Sequence, residues 1–213
     1  MSGIGLMFIG REAQAFALTI SSNQTDVNLA TLATSSGWNG SSTLNATINS
    51  GVYVSSTSTA NAALTVNGSF PGGVTLVNNG TIVGRGGSGG QGQGTGVPIT
   101  WPNTHPGLAG GTGGLGLSVS SPISITNNGT IAGGGGGGGG GGTGSGYAGG
   151  GGGGGGQSSY STNSPGGPIG DYSGTSVWGY NKYPGTAGNA GTDSAAGTGG
   201  AGNSFYCCYS FYG

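Results

Sequence analysis

Two uninterrupted runs of glycine constrain this chain more than any other feature. The runs begin and end at Gly133 and Gly142, and at Gly149 and Gly156. Across residues 133–213, the only Val, Ile, Leu or Met side chains are Ile169 and Val177. Ordering a backbone costs about 1–2 kcal/mol per residue, and glycine loses the most freedom. This half of the chain is therefore either disordered or held by something other than apolar burial.

The composition favours an ordered but unusual structure over a flexible linker. The 58 glycines and 8 prolines among 213 residues are typical of low-complexity chains, but the strict Gly-X-Y repeat of collagen is absent. Disordered chains usually carry high net charge. This chain has only three basic and four acidic residues, yet it has 3 Trp, 9 Tyr and 5 Phe.

The charge and hydropathy patterns exclude several partners and compartments. Three basic residues are too few to form a surface that binds along a phosphate backbone, so no nucleic-acid partner is expected. No stretch reaches the roughly 18 apolar residues of a membrane-spanning helix, so no membrane insertion is expected. The apolar run 3–10 lacks the basic segment that precedes a signal peptide's apolar core, which indicates cytoplasmic synthesis.

The two cysteines, Cys207 and Cys208, are adjacent. One trans peptide holds their Cα atoms about 3.8 Å apart, below the usual disulfide span. Free thiols are the favoured interpretation, and a strained vicinal disulfide stays open.

Residues 1–83 have the pattern of a small β domain with no helix. Apolar and polar residues alternate over short runs, as in half-buried strands. The alternating apolar residues are Phe16, Leu18, Ile20, Leu44, Ala46, Ile48, Val52, Val54, Leu64 and Val66. Turn residues separate these runs, as at Gly37, Gly40, Gly51, Gly68 and Gly73.

An internal repeat connects this part to the glycine-rich part. Residues 77–82 (VNNGTI) recur at 126–131 (TNNGTI), and residues 64–70 form a looser third copy. The repeat suggests stacked short rungs, each ending in a turn, although three imperfect copies do not establish a solenoid. We place a domain boundary after Val83, with residues 84–213 as the glycine-rich domain.

Glycine runs can be ordered as polyglycine-II helices. Such a helix has three residues per turn, rises about 3.1 Å per residue and has no internal hydrogen bonds. Without side chains, neighbouring helices can approach closely and pair their backbone groups. The alternative is a flexible linker, which is what most Gly/Ser-rich stretches form.

Several motifs together resemble the glycine-rich adhesins at the tips of long tail fibres of T-even-like bacteriophages. These are residues 77–82, the stretch 85–92 (RGGSGGQG) and residues 126–142. The resemblance implies a mostly non-helical chain, with a small N-terminal β domain followed by a layered polyglycine-II sandwich that exposes aromatic loops. It also implies that residues 1–83 attach to the fibre tip protein and that loops between glycine motifs bind host receptors.

Catalysis, metals and cofactors are not expected. The chain has one histidine, His105, and its four carboxylates are scattered. Only the two adjacent cysteines cluster among possible metal ligands, with no second pair.

Binding is better supported, because Tyr and Trp give large contact areas at low entropic cost. They lie here among Gly, Ser, Asn and Pro, the composition of a recognition loop. The candidate receptor-binding residues are Trp101, His105, Tyr160, Tyr172, Trp178, Tyr180 and Tyr183. For Tyr147, sealing the glycine lattice is the preferred role, while the terminal cluster 205–212 fits either role.

The leading hypothesis is a virion adhesin at the distal tip of a tail fibre, which binds an outer-membrane protein or a surface glycan of a bacterium. The alternative is a non-adhesive virion connector or a fibre-assembly chaperone. An ice-binding polyglycine protein is a third interpretation, disfavoured because the glycine tracts are irregular.

Overall fold

The computed structural model describes residues 14–92, 107–141 and 187–189, together with Thr198 and Gly200. In these residues eleven strands and one helix follow each other along the chain. The elements are β1 (Phe16–Ile20), β2 (Gln24–Thr25), β3 (Val27–Asn28), α1 (Leu29–Ser35), β4 (Leu44–Ile48), β5 (Tyr53–Ser55), β6 (Leu64–Val66), β7 (Val74–Asn78), β8 (Thr81–Val83), β9 (Leu117–Val119), β10 (Ser124–Asn127) and β11 (Thr130–Ala132).

The strands form three parallel sheets that make the three sides of a solenoid. The first sheet has the order β1-β4-β7-β10, the second β11-β8-β5-β2 and the third β3-β6-β9. Every pairing is parallel. Each turn of the chain around the axis therefore adds one strand to each side, which stacks equivalent residues above one another.

The core lies between the three sheets, and three of its residues, Leu44, Val54 and Leu64, belong to the alternating pattern that the sequence predicts. The first sheet contributes Leu44 and Leu76, the second Val54 and Ile82, and the third Leu64. All five are fully or almost fully buried, at 0–1% exposure. Short strands of Val, Leu and Ile fit this arrangement because each rung buries its inward residues against the rungs above and below.

The internal repeat corresponds to two consecutive rungs. Asn78 pairs with Asn127, and Ile82 pairs with Ile131. The looser third copy at 64–70 is not equivalent, because Leu64 lies in the third sheet and pairs with Leu117. Two copies in register therefore reflect the solenoid, and the third is a coincidence of composition.

The predicted turns are confirmed by their backbone geometry. Five glycines have positive φ, a conformation that L side chains rarely adopt. They are Gly37, Gly40, Gly51, Gly68 and Gly73, with φ from 76° to 106°.

The prediction that residues 1–83 contain no helix is wrong. Helix α1 begins after Asn28, whose side chain accepts a hydrogen bond from the Thr31 N–H at 3.1 Å. Leu29 and Ala33, four residues apart, form its buried face. Thr31 and Thr34 of this helix are weak helix formers, so the N-cap and the burial of two side chains outweigh intrinsic propensity.

The sheets do not end at Val83, because β9, β10 and β11 pair with strands of the preceding rungs. Three glycine-rich segments leave the solenoid beside these strands. They are segment A (84–92), segment B (107–116) and segment C (133–141), which follow β8, precede β9 and follow β11.

The three segments are joined by main-chain hydrogen bonds that recur every third residue. Segment A donates from Gly87 and Gly90 to segment C, at 2.7–2.8 Å, and from Gly84 to the Ala132 carbonyl at the end of β11, at 3.0 Å. Segment B donates from Leu108, Gly111 and Gly114 to segment A, and segment C donates from Gly134, Gly137 and Gly140 to segment B, all at 2.7–2.9 Å. Each segment thus contacts the other two, and residue numbers run in the same direction in A and C and in the opposite direction in B.

Candidate functional site

Close backbone contact fixes where glycine is required in the segments. A Cβ on Gly87 would lie 2.0 Å from the Gly111 carbonyl oxygen, and a Cβ on Gly110 would lie 2.1 Å from that of Gly137. A Cβ on Gly137 would lie 1.9 Å from the carbonyl oxygen of Ser88. The same conflict recurs every third residue in each segment, so one face of each segment excludes any side chain.

Other faces of the segments carry side chains into solvent. Ser88 and Gln91 are exposed on segment A, and Thr112 is exposed on segment B. Leu108 and Leu115 are 55% and 61% exposed. The three segments are therefore held by their main chains and display side chains outward.

The far ends of the three segments meet at one place. The Leu108 N–H donates to the Gln91 carbonyl at 2.9 Å, and the Gly140 N–H donates to the Leu108 carbonyl at 2.8 Å. Residues 93–106 connect segment A to segment B at this end, and the chain after Gly141 leaves segment C there. The opposite ends adjoin the strands of the solenoid. The structure thus defines a distal end of the glycine segments, which is the candidate functional site.

The candidate receptor-binding residues lie outside the described residues. This holds for all seven: Trp101, His105, Tyr160, Tyr172, Trp178, Tyr180 and Tyr183. Trp101 and His105 belong to the connection 93–106 that starts at the distal end. The other five follow segment C in sequence, and their role stays a prediction.

Four glycines bound the two runs and are the expected scaffold glycines. Gly133 is described, and Gly142, Gly149 and Gly156 lie outside the described residues. Gly133 begins segment C, and a Cβ there would lie 3.3 Å from the Gly114 carbonyl oxygen. That contact is tight but less severe than those of Gly134 and Gly137. The residues at which a glycine run begins and ends therefore say less about where glycine is required than the three-residue repeat of the close contacts does.

In segment A, the sequence itself shows which glycines face the neighbouring carbonyl oxygens. Residues 84–92 read as three consecutive Gly-X-Gly triplets, with Arg85, Ser88 and Gln91 at the centres. The first glycines of these triplets are the ones that face the Gly114, Gly111 and Leu108 carbonyl oxygens. In the unbroken run of segment C this signal is invisible.

A concave region, separate from the distal end, lies on the outer side of the third sheet. It has a volume of about 380 Å³ and is lined by Asp26, Asn61, Thr65, Leu115 and Ser118, among others. The Asp26 carboxylate accepts hydrogen bonds from the Ser56 hydroxyl at 3.3 Å and the Thr57 N–H at 3.2 Å, and it also accepts from the Thr57 hydroxyl. These bonds fix the corner between β2 and β3, where Asp26 has a positive φ of 50°. The carboxylate thus has a structural role in this corner.

Asp26 and Arg85 are the two charged side chains within the described ranges. The same ranges contain no group of three or more His, Cys, Asp or Glu side chains that could hold a metal ion. No helix among the described residues is long and apolar enough to cross a membrane.

Among comparisons with known proteins, a family model identifies the family and a solved structure shows a similar fold. A family model described as "Phage tail fibre adhesin Gp38" matches residues 15–208. A crystal structure of the gp37-gp38 adhesin tip complex of the bacteriophage S16 long tail fiber is similar, with a TM-score of 0.54 and 21% sequence identity. The match covers 87% of this chain and 65% of that chain, so this chain spans about two thirds of its length. No curated protein matches the sequence.

Proposed function

The chain belongs to the phage tail fibre adhesin Gp38 family, and from this premise we propose that the distal end of its glycine segments presents loops that bind a receptor on a bacterial surface. The observation that carries the proposal is the common end at which Gln91, Leu108 and Gly140 meet. Two parts of the chain that hold the candidate aromatic residues start there. The receptor class is an outer-membrane protein or a surface glycan, both of which offer flat apolar or hydroxylated patches to Trp and Tyr.

The glycine segments form a polyglycine-II lattice in this proposal. The support is the three-residue period of the main-chain hydrogen bonds and of the glycines that face carbonyl oxygens. At about 3.1 Å per residue, nine residues span roughly 28 Å, which would hold the loops that far from the sheets. A rigid spacer of this kind lowers the entropic cost of presenting recognition loops.

Hydrogen exchange tests the lattice. With ¹⁵N-labelled glycine, the N–H groups of Gly87, Gly111 and Gly137 are expected to exchange slowly, because each donates to a neighbouring segment at 2.7–2.8 Å. A flexible linker would exchange all three at the rate of an unstructured peptide, which would contradict the proposal.

The proposal extends to the position of the chain in the virion. The strand-rich part, placed at residues 1–83 from the sequence, attaches the chain to the protein at the tip of the tail fibre. Attachment and receptor binding then lie at opposite ends of a chain that acts without catalysis. The solved relative was crystallised as a gp37-gp38 complex, which supports a fibre-tip partner.

Paired substitution of two candidate receptor-binding residues tests receptor binding. Trp101→Ala with Trp178→Ala is expected to abolish saturable binding of the labelled chain to susceptible cells, because the two indoles supply the largest apolar contacts. Circular dichroism and the melting temperature are expected to stay unchanged.

The third tryptophan offers a matched control. Trp38 is 5% exposed, donates from its indole N–H to the Ser42 carbonyl at 2.9 Å and stacks on Phe70. Trp38→Phe is therefore expected to lower stability and leave cell binding intact. Unchanged binding in the paired loop variant would overturn the loop assignment.

The second candidate is a non-adhesive connector or assembly chaperone. It is favoured if the wild-type chain binds no strain of a host panel and does not compete with phage adsorption. Mass spectrometry of purified virions separates the connector from the chaperone, since a chaperone is absent from the mature particle.

A further inference from the structure

We infer that the concave region on the outer side of the third sheet binds one neutral sugar ring, a hexose or an N-acetylhexosamine. We call this region the side cavity and define it by Asp26, Asn61, Thr65, Leu115 and Ser118. It shares no residue with the receptor site proposed at the distal end. Sugar binding in the side cavity is therefore independent of the proposed function, and only its use at a bacterial surface rests on that function.

Two neighbouring strands supply the floor of the side cavity. Thr65 of β6 and Ser118 of β9 are register partners in the third sheet. Both side chains lie on its outer face, because Leu64 and Val66 on either side of Thr65 are fully buried. Adjacent strands lie about 4.8 Å apart, so the two hydroxyls stand side by side and can contact one small ligand.

The sides of the side cavity are fixed by the fold. Asn61 belongs to the loop between β5 and β6, and Leu115 lies at the end of segment B nearest β9. The Ser56 hydroxyl donates to the Asn61 carbonyl at 2.9 Å, and the Ala63 N–H donates to the Leu115 carbonyl at 3.1 Å. Because the sides are held in place in advance, a ligand binds without the entropic cost of ordering them.

Several polar side chains of the side cavity have unused hydrogen-bonding capacity. Those of Asn61, Thr65 and Ser118 make no hydrogen bond within the described part of the chain. The Asp26 carboxylate is exposed and accepts three hydrogen bonds from the loop that follows β5, which leaves about one of its roughly four lone-pair sites. Amide and hydroxyl groups both donate and accept, so the lining can pair with several hydroxyls of a ligand.

The lining and the size suit a sugar ring. Leu115 is 61% exposed and adds an apolar patch beside these polar groups. A sugar ring has hydroxyls at its edge and C–H groups on its faces, whereas a wholly apolar ligand would leave the polar lining unpaired. The volume of about 380 Å³ equals that of about a dozen water molecules at ~30 Å³ each, which is the scale of one ring rather than of an extended chain.

Charge excludes two other classes of ligand. Asp26 is the one charged residue that lines the side cavity. An acidic sugar or a phosphate would face this carboxylate with no basic side chain beside it, and like charges repel. Calcium takes about 6–8 oxygen ligands, whereas Asp26 has most of its lone pairs engaged by the loop. The ligand is therefore neutral.

Ligand-observed NMR on the whole chain tests the inference. The probes are the methyl glycosides of glucose, galactose and N-acetylglucosamine, and the readout is the saturation-transfer difference signal of each sugar. At least one is expected to bind with a dissociation constant on the order of 1 mM, because a single ring makes few contacts. The variant Thr65→Val with Ser118→Ala removes both floor hydroxyls with little change in shape, and it is expected to bind at least about tenfold more weakly.

The first sheet offers a control with the same substitutions. Thr47 of β4 and Ser124 of β10 lie on strands that are not part of the side cavity. Thr47→Val with Ser124→Ala is expected to bind the sugar like wild type. Wild-type affinity in the folded Thr65 and Ser118 variant would overturn the inference. Absence of binding by all three glycosides at up to about 20 mM would overturn it as well.

The same measurement separates the side cavity from the distal end. The Trp101→Ala and Trp178→Ala variant is expected to bind the glycoside like wild type, whatever its binding to cells. Loss of the sugar signal in that variant would assign the sugar to the distal loops and overturn the inference. Unchanged cell binding by that variant, with the sugar signal retained, would contradict the loop assignment and support a separate sugar site.

Discussion

At the residue scale, glycine has two separate roles in this chain. Gly37 and Gly51 supply positive φ in turns, with angles of 101° and 77°. Gly87 and Gly137 instead make room for a neighbouring carbonyl oxygen, at 2.0 and 1.9 Å from the position of a Cβ. The first role could be predicted from the flanking Asn and Ser residues, whereas the second depends on which segments lie side by side.

Neighbouring glycines of segment C test the second role. Gly137→Ala is expected to destabilise the chain by at least about 3 kcal/mol, because its Cβ would overlap the Ser88 carbonyl oxygen. Gly136→Ala is the control, since its nearest neighbour, the Gly111 carbonyl oxygen, is 3.8 Å away. It is expected to be neutral or to stabilise by up to about 1 kcal/mol. Thermal denaturation of both variants gives the comparison, and equal melting temperatures would contradict it.

At the element scale, the corner between the first and second sheets is fixed by a buried asparagine. Asn78 is 0% exposed. Its amide donates to the Asn127 side chain at 2.7 Å and to the Thr130 carbonyl at 3.1 Å, and it accepts from the Gly80 N–H at 3.1 Å. The repeated NNGT motif therefore stacks one corner on the next, which ties two rungs together.

Removing this amide is expected to be costly. Asn78→Ala leaves the Gly80 N–H without its acceptor in a buried corner, and the expected loss is about 2–3 kcal/mol of unfolding free energy. Asn45→Ala is the control, because Asn45 is exposed and accepts one hydrogen bond from Thr75 at 2.8 Å. Its expected cost is within about 0.5 kcal/mol. Chemical denaturation measures both, and a similar loss at the two positions would refute the role of the corner.

Strand positions could be predicted from the sequence, and their arrangement could not. Alternation locates β1, β4 and β6 because each buries one face. The alternation does not show which strands pair in parallel, because the paired strands lie far apart in sequence. Leu64 shows the limit: its local sequence resembles the repeat, but its partner Leu117 lies beyond a long excursion through segments A and B.

At the scale of the whole molecule, the near absence of charge determines how the chain can recognise anything. Three basic and four acidic residues among 213 leave little electrostatic attraction to a bacterial surface. The class of function could be inferred from composition and the glycine motifs together, and the family match agrees with it. The identity of the receptor could not be predicted from the spacing of residues in the sequence, because recognition depends on the shapes of individual loops.

Binding to cells is therefore expected to be insensitive to salt. Between about 0.05 M and about 0.5 M NaCl, the dissociation constant for susceptible cells should change less than about twofold, because screening acts on charges that the chain lacks. Flow cytometry of the labelled chain measures this. A loss of affinity of about tenfold or more would indicate that ionic contacts dominate.

The contact between Leu108 and Gln91 has a consequence for how the chain can change. Their 2.9 Å hydrogen bond clamps the two ends of the connection 93–106. With its ends held by main-chain bonds, doubling the length of that connection adds only about 0.6 kcal/mol of closure entropy. Insertions and deletions in this connection therefore change the stability of the fold very little. New specificity can thus arise by changing loop length as readily as by changing loop sequence.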